Sequence, residues 1–341
     1  MLIARQEAVQ LKLNAHRRYM ARYTIVLGNG LGMSLDRKYF SLSAGLAAVW
    51  LGTASFTQQQ KKLVISAIPG LSSTKYPESE EQLDTLQVAI VAAGFLKSFE
   101  SPKVKWLNVS SRKLPQAFRQ FVHEVGVYFH SSSLTLPESF VTPLVDFVND
   151  TKSHVAVLNY DNLLYDAFVR TKVLHGYKGS LIDGFWSNGF ASKNLERHNA
   201  SQHGWYLHLH GSPLYIGNKK LMREDRRTLE PTENSHIVLT HVKHKPLIIA
   251  SSNILSEYWR HFDEALDESD RVVLFGYSGC DTHLNDRLHL RCQGKTIRVV
   301  EWCGNGESAK RRQYWKSKLK DCDIKLQQLD NILQFTNWKR L

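Results

Sequence analysis

The chain has 341 residues, 43% of them hydrophobic, and a formal net charge of +12. This length is enough for a full core and exceeds one small domain, and no apolar run reaches the roughly 18 residues that a helical membrane span needs. The four cysteines, Cys280, Cys292, Cys303 and Cys322, form no C-x-x-C pair, so they offer neither a zinc ribbon nor a redox motif and fit a reducing cytosol.

In chain order, residues 1–22 are helix-like and basic (Arg5, Lys12, Arg17, Arg18, Arg22) with no apolar stretch of the secretory kind, so a cytoplasmic protein is expected. Residues 23–28 are a short apolar run that reads as a buried strand. It ends in Gly28-Asn29-Gly30-Leu31-Gly32-Met33-Ser34, a glycine-rich turn that opens a helix. Residues 37–150 read as mainly helical. The apolar stretches 43–56 and 86–99 suggest buried helices, and Leu83, Leu86, Ile90 and Phe95 lie close to helical spacing. Residues 69–77 read as a loop. A second strand is expected at 155–159, then an ordered loop at 176–202 that is rich in Gly, Ser and Asn, then a strand at 205–210. The charged stretch 218–236 reads as a flap or partner surface. Further strands are expected at 246–250, 271–276 and 297–302, with a basic stretch at 310–320 as a second candidate contact surface.

Strands separated by helical segments imply an α/β fold, a doubly wound parallel sheet of Rossmann-like form. The expected division is a core formed by residues 1–36 and 151–341, with 37–150 as a large helical insertion. On such sheets ligands sit at the carboxyl ends of the strands, and Gly28, Asn159, His210 and Gly276 all fall there.

Each strand end carries residues with chemistry to offer. Glycines after the first strand let a backbone approach a pyrophosphate, or they simply make a turn. Asn159-Tyr160-Asp161-Asn162 places short polar side chains in the crevice; Asn159 can orient a water or a ribose hydroxyl. Asp161 and Asn162 read either as ligand contacts or as a helix cap. His208 and His210 share a face if both lie in one strand, roughly 7 Å apart. His210 abuts Gly211 at the crevice and is the better general base, while His208 suits packing. A metal pair is disfavoured because no cysteine or carboxylate partner stands nearby in sequence. In Gly276-Tyr277-Ser278-Gly279-Cys280-Asp281, Gly276 and Ser278 suit contact with ribose or phosphate. Asp281 reads as a cap for the helix 282–290 and Cys280 as packing. Glu301, at the end of the last strand, could bond an adenosine ribose. The basic residues are spread widely; the charge suits a phosphate-rich ligand, an acidic partner or nucleic acid, although no nucleic-acid motif accompanies it.

Taken in order, these elements resemble the sirtuin-like superfamily, and most closely the sirtuin-like NAD hydrolases of bacterial anti-phage defence. The resemblance is carried by Gly28–Ser34, Asn159-Tyr160-Asp161, His210-Gly211 and Gly276-Tyr277-Ser278-Gly279-Cys280-Asp281, across about residues 22–302. It implies NAD as substrate, with Asn159 and His210 as the catalytic pair and Asp161 at the nicotinamide-ribose end. Gly28, Asn29, Gly30, Ser34, Gly276, Tyr277 and Ser278 would line the dinucleotide. The four-cysteine zinc module of protein-deacylating sirtuins is missing after the histidine, so no zinc is expected and cleavage of NAD is favoured over lysine deacylation. ADP-ribosyl transfer and non-catalytic sensing of NAD or ADP-ribose are the competing functions. Because free NAD cleavage would harm its own cell, control by a partner protein, by assembly into a homo-oligomer or by a ligand is expected.

Overall fold

The computed structural model describes residues 21–52, 55–68, 71, 75–98, 109–221 and 235–340. The basic N-terminal stretch 1–20, most of 103–113 and most of 218–236 lie outside the described residues, as does part of the loop at 69–77.

The β-branched runs form strands because every side chain in them is covered. β1 (Tyr23–Leu27) and β2 (His154–Val157) are buried at all positions, the pattern of strands packed on both faces. They are followed by β3 (Leu181–Ile182), a hairpin of β4 (Phe185–Trp186) and β5 (Gly189–Phe190), and β6 (Gly204–His208). A small antiparallel sheet of β7 (Gly211–Ile216), β8 (Lys219–Lys220) and β9 (Ser235–Ile237) comes next. β10 (Arg271–Phe275), β11 (Thr296–Trp302) and β12 (Asp323–Leu329) complete the set.

Seven strands build the main sheet in the order β12-β11-β10-β1-β2-β6-β3, and every pairing is parallel. The fold is thus α/β and Rossmann-like. The chain leaves β1 toward β2 and β6, then returns to the other side of β1 at β10. That reversal opens a crevice at the carboxyl ends of β1 and β10. Alternation along β1 sends Ile25 and Leu27 to one core and Val26 to the other. The first core holds Phe140 and Phe147 of the helix Glu138–Thr151, with Phe275 stacked on Trp338. The second holds Tyr258 and Phe262 of the helix Asn253–Glu268, Leu284, and Trp315 of the helix Ser308–Lys318.

Four expectations need correction. Residues 246–250 are not a strand but part of the helix Lys245–Ser251. Pro246 sits in its first turn, where a proline ring costs nothing, and a short apolar run has no period that separates the two states. The helices Leu42–Gly52 and Leu83–Ser98 are one-sided, not buried: Leu51 is 71% exposed, and Phe95, expected on the apolar face, is 62% exposed. The strand ending in the two histidines stops at His208, so His210 lies beyond it. The loop 176–202 contains β3, which pairs with β6 at the sheet edge. Between Arg37 and Thr151 the described residues outside turns are helical, ending in the helix Glu138–Thr151 that leads into β2. No helix among the described residues is long and apolar enough to cross a membrane.

Candidate active site

Four strand ends meet around a cavity of about 690 Å³, within the span of roughly 300–1,000 Å³ common for small-molecule sites. Gly28, Asn29, Gly30, Ser34, Asn159, Asp161, His210, Gly276, Tyr277, Ser278 and Glu301 all line it. Their side chains are committed very differently.

The glycine turn is shaped first by the protein itself. Gly28 N donates to Phe275 O at 2.9 Å and Gly30 N to Gly276 O at 2.8 Å. A Cβ on Gly28 would stand 2.7 Å from Gly276 O, and one on Gly30 would stand 2.6 Å from Gly276 Cα. The turns after β1 and β10 are therefore packed backbone against backbone, and that contact alone demands glycine. The amides of Gly30 and Leu31 are spent on Gly276 O and Gly28 O. Asn29 is similarly occupied, its Nδ2 donating to Phe40 O at 2.9 Å.

The second turn is braced by Tyr277. Its hydroxyl accepts from Asp281 N at 3.0 Å and lies 2.9 Å from Asn285 Oδ1, which can take its proton. Ser278 Oγ accepts from Cys280 N at 3.4 Å. Cys280, expected as packing, is exposed and lines the cavity. Glu301 lines the cavity too, but Arg311 and Gln328 bond its Oε1, and Arg311 and Trp315 its Oε2. A ribose hydroxyl would have to share a carboxylate that is already fully bonded.

The histidines separate cleanly. His208 is buried, with Nδ1 2.6 Å from the Tyr215 hydroxyl and Nε2 3.3 Å from that of Tyr206. Burial, and then the charge of Lys220, push its pKa down to about 3, so it is a neutral packing residue. His210 instead reaches the cavity, with Nε2 3.0 Å from Asp281 Oδ2. Asp281 does cap the helix Thr282–Arg291, its Oδ1 accepting from Leu284 N at 3.1 Å. Its second oxygen takes both His210 and Lys245 Nζ, each at 3.0 Å. Burial alone would raise the Asp281 pKa; the hydrogen bond and charge of His210 and the charge of Lys245 hold it well below the usual carboxylate range. Lys245 is itself buried and bonds Glu80 Oε2 at 3.0 Å. Sequence reading saw Asp281 only as a cap and missed Lys245 and Glu80. Lys245 belongs to a run with Lys243 and His244 that looks like surface charge. The signal, a cation at a helix start where the dipole disfavours it, was hidden because residues 246–250 read as a strand.

Asn159 donates from Nδ2 to Gly28 O at 3.1 Å, and its buried Oδ1 has no hydrogen-bond partner among the described residues. An unsatisfied buried acceptor costs about 1–3 kcal/mol, which a bound group could recover. Asp161 accepts from Leu163 N at 3.0 Å, opening the helix Leu163–Arg170, so it serves the turn and the cavity together. Asn162 bonds Ser132 O and Asp166 instead.

Burial pushes the Asp161 pKa up to about 6. A carboxyl whose pKa is raised on folding adds stability below its unfolded value, near 4, and loses it as pH rises through about 6. Asp161→Asn, which keeps the acceptor for Leu163 N, should therefore be more stable than the parent at pH 7.5 by about 2 kcal/mol. It should also lack the parent's loss of stability between pH 4 and 6. Urea unfolding across that range checks this, and equal slopes for the two proteins would refute it.

Residues 153–318 match the family described as SIR2-like domain. The match supports a sirtuin-like family. The matched stretch holds Asn159, Asp161, His210, Gly276 and Asp281 but not the glycine turn at Gly28. No curated protein matches the chain.

Proposed function

We propose that this protein hydrolyses the nicotinamide N-glycosidic bond of NAD, giving ADP-ribose and nicotinamide. The observation that carries the proposal is the Oδ1 of buried Asn159, without a hydrogen-bond partner among the described residues, in the same cavity as a His210 tethered to Asp281. With Nε2 bonded to Asp281, His210 has Nδ1 left to accept a proton.

The chemistry asks little beyond this. The bond from ribose C1′ to the pyridinium nitrogen breaks, its electron pair goes to nicotinamide, and nicotinamide leaves neutral. The ribose passes through a cationic state, as in glycoside hydrolysis generally. Asp161 and Glu81 line the cavity, and their carboxylates favour that positive charge, while Asp281 and Glu80 are already paired with Lys245. Water adds to C1′, oriented by Asn159, and its proton goes to His210.

The resemblance to anti-phage NAD hydrolases supports a role in depleting NAD during defence. A homo-oligomer or a regulatory partner protein would hold the activity in check.

Incubation of the purified protein with NAD, followed by chromatography, tests the reading. Free ADP-ribose and nicotinamide are expected. Turnover that requires an acyl-lysine peptide, label appearing on protein, or tight binding without turnover would each replace it with deacylation, ADP-ribosyl transfer or sensing. NAD should also slow maleimide labelling of Cys280, which is exposed within the same cavity. Labelling at an unchanged rate with saturating NAD would place the nucleotide elsewhere.

A further inference from the structure

Lys245 opens the helix Lys245–Ser251, where the helix dipole disfavours a cation, and its side chain is only 5% exposed. Two carboxylates explain how it can sit there: Glu80 Oε2 and Asp281 Oδ2, each 3.0 Å from Nζ. Glu80 precedes the helix Leu83–Ser98, and Asp84 of that helix bonds Lys243 and His244. Residues 80 and 84 thus grip residues 243–245 and press Lys245 onto Asp281.

Asp281 Oδ2 is therefore shared by two donors, Lys245 Nζ and His210 Nε2. The charged and titratable groups facing His210 are Asp281 and His283 from the helix Thr282–Arg291, Lys245, Glu80 behind it, and Tyr160, whose ring stacks on the imidazole at 6.5 Å. Lys245 thus fixes in place the carboxylate oxygen that holds the imidazole.

We propose that Lys245 is a positioning residue for His210: by sharing Asp281 Oδ2 it fixes the carboxylate that holds the imidazole by Nε2 and leaves Nδ1 to accept a proton. The proposal rests on the NAD-cleavage reading only in the role it gives to His210 as base.

The test compares Lys245→Met, Lys245→Gln and Lys245→Arg in the full-length protein. The first two remove the charge, and the glutamine amide can still donate to both carboxylates, which keeps the test alive if the methionine variant does not fold. Both should lower kcat for NAD cleavage roughly 10- to 100-fold, the lower part of what a positioned base contributes, with KM within about 3-fold of the parent. Lys245→Arg should recover most of the rate. In protein labelled with 15N-histidine, the His210 signals should match between the parent and Lys245→Arg and should move in the charge-removing variants at the same pH. Unchanged His210 signals in those variants would overturn the positioning role while leaving the NAD reading intact. A parent that never cleaves NAD would sink that reading instead, and the 15N comparison would still decide what Lys245 does.

Discussion

His210→Ala and Asn159→Ala should each lower NAD turnover by roughly 100- to 10,000-fold, the range a positioned acid–base group contributes. Both variants should remain folded, for reasons specific to each. Asn159 already carries a buried acceptor with no partner among the described residues, so its removal relieves a cost even as it frees Gly28 O from the bond to Nδ2. Removing His210 leaves Asp281 bonded to Lys245 Nζ and Leu284 N, so its charge is not stranded. The split between the two variants is informative. Asn159→Ala should raise KM as well as lower kcat, because the free Oδ1 is available to the bound substrate before the chemistry begins. His210→Ala should act mainly on kcat, because a base is used only as the water adds. Steady-state kinetics with circular dichroism on the same samples checks both. Full turnover in either variant would remove that residue from the mechanism.

How far the sequence could be read follows from what each residue does. β1, β2 and β10 were legible because residues 25–27, 155–157 and 272–275 are continuous buried apolar runs, and β11 because Ile297, Val299 and Val300 stay apolar around Arg298. β12 was not, since Asp323, Lys325 and Gln327 interrupt it as befits an edge, and two-residue β3 is too short to carry a pattern. The run Leu247–Ile248–Ile249–Ala250 was ambiguous for the opposite reason: too short to show a helical period, it reads as strand or helix alike. At the site, every residue chosen from the strand ends does line one cavity. What sequence could not supply is the partner of each side chain. The same glycines suit a phosphate or a neighbouring turn, and only the position of Gly276 against Gly28 and Gly30 shows the second demand. Asp281 looked like a cap because one of its oxygens is a cap; the other oxygen's two partners lie 71 and 36 residues away in sequence.

Gly211→Ala should be among the most damaging single substitutions in the chain, and it bears directly on His210. Gly211 has φ +81, and a Cβ there would stand 1.6 Å from His236 O, closer than any non-bonded atoms can come. Relief requires β7 or β9 to move, and β9 is pinned. His236 Nδ1 lies 2.7 Å from Ser252 Oγ, and its Nε2 lies 2.8 Å from Gly217 O. Ser252 in turn caps the helix Asn253–Glu268, accepting from Leu255 N at 3.1 Å. The strain therefore falls on residues 210–211, where His210 O accepts from Val238 N at 2.9 Å. Left-handed strain alone costs about 1–2 kcal/mol, and forced displacement of packed backbone brings the expected loss to about 3–5 kcal/mol. Gly176→Ala is the internal comparison, because Gly176 has φ +56 with open space around it. It should lose only the first part, about 1–2 kcal/mol. Urea unfolding of the two variants separates the contributions, and equal losses would show that the His236 contact sets nothing. Where Gly211→Ala still folds, the displaced backbone moves His210 away from Asp281, so NAD turnover should fall further than the loss of folded protein accounts for.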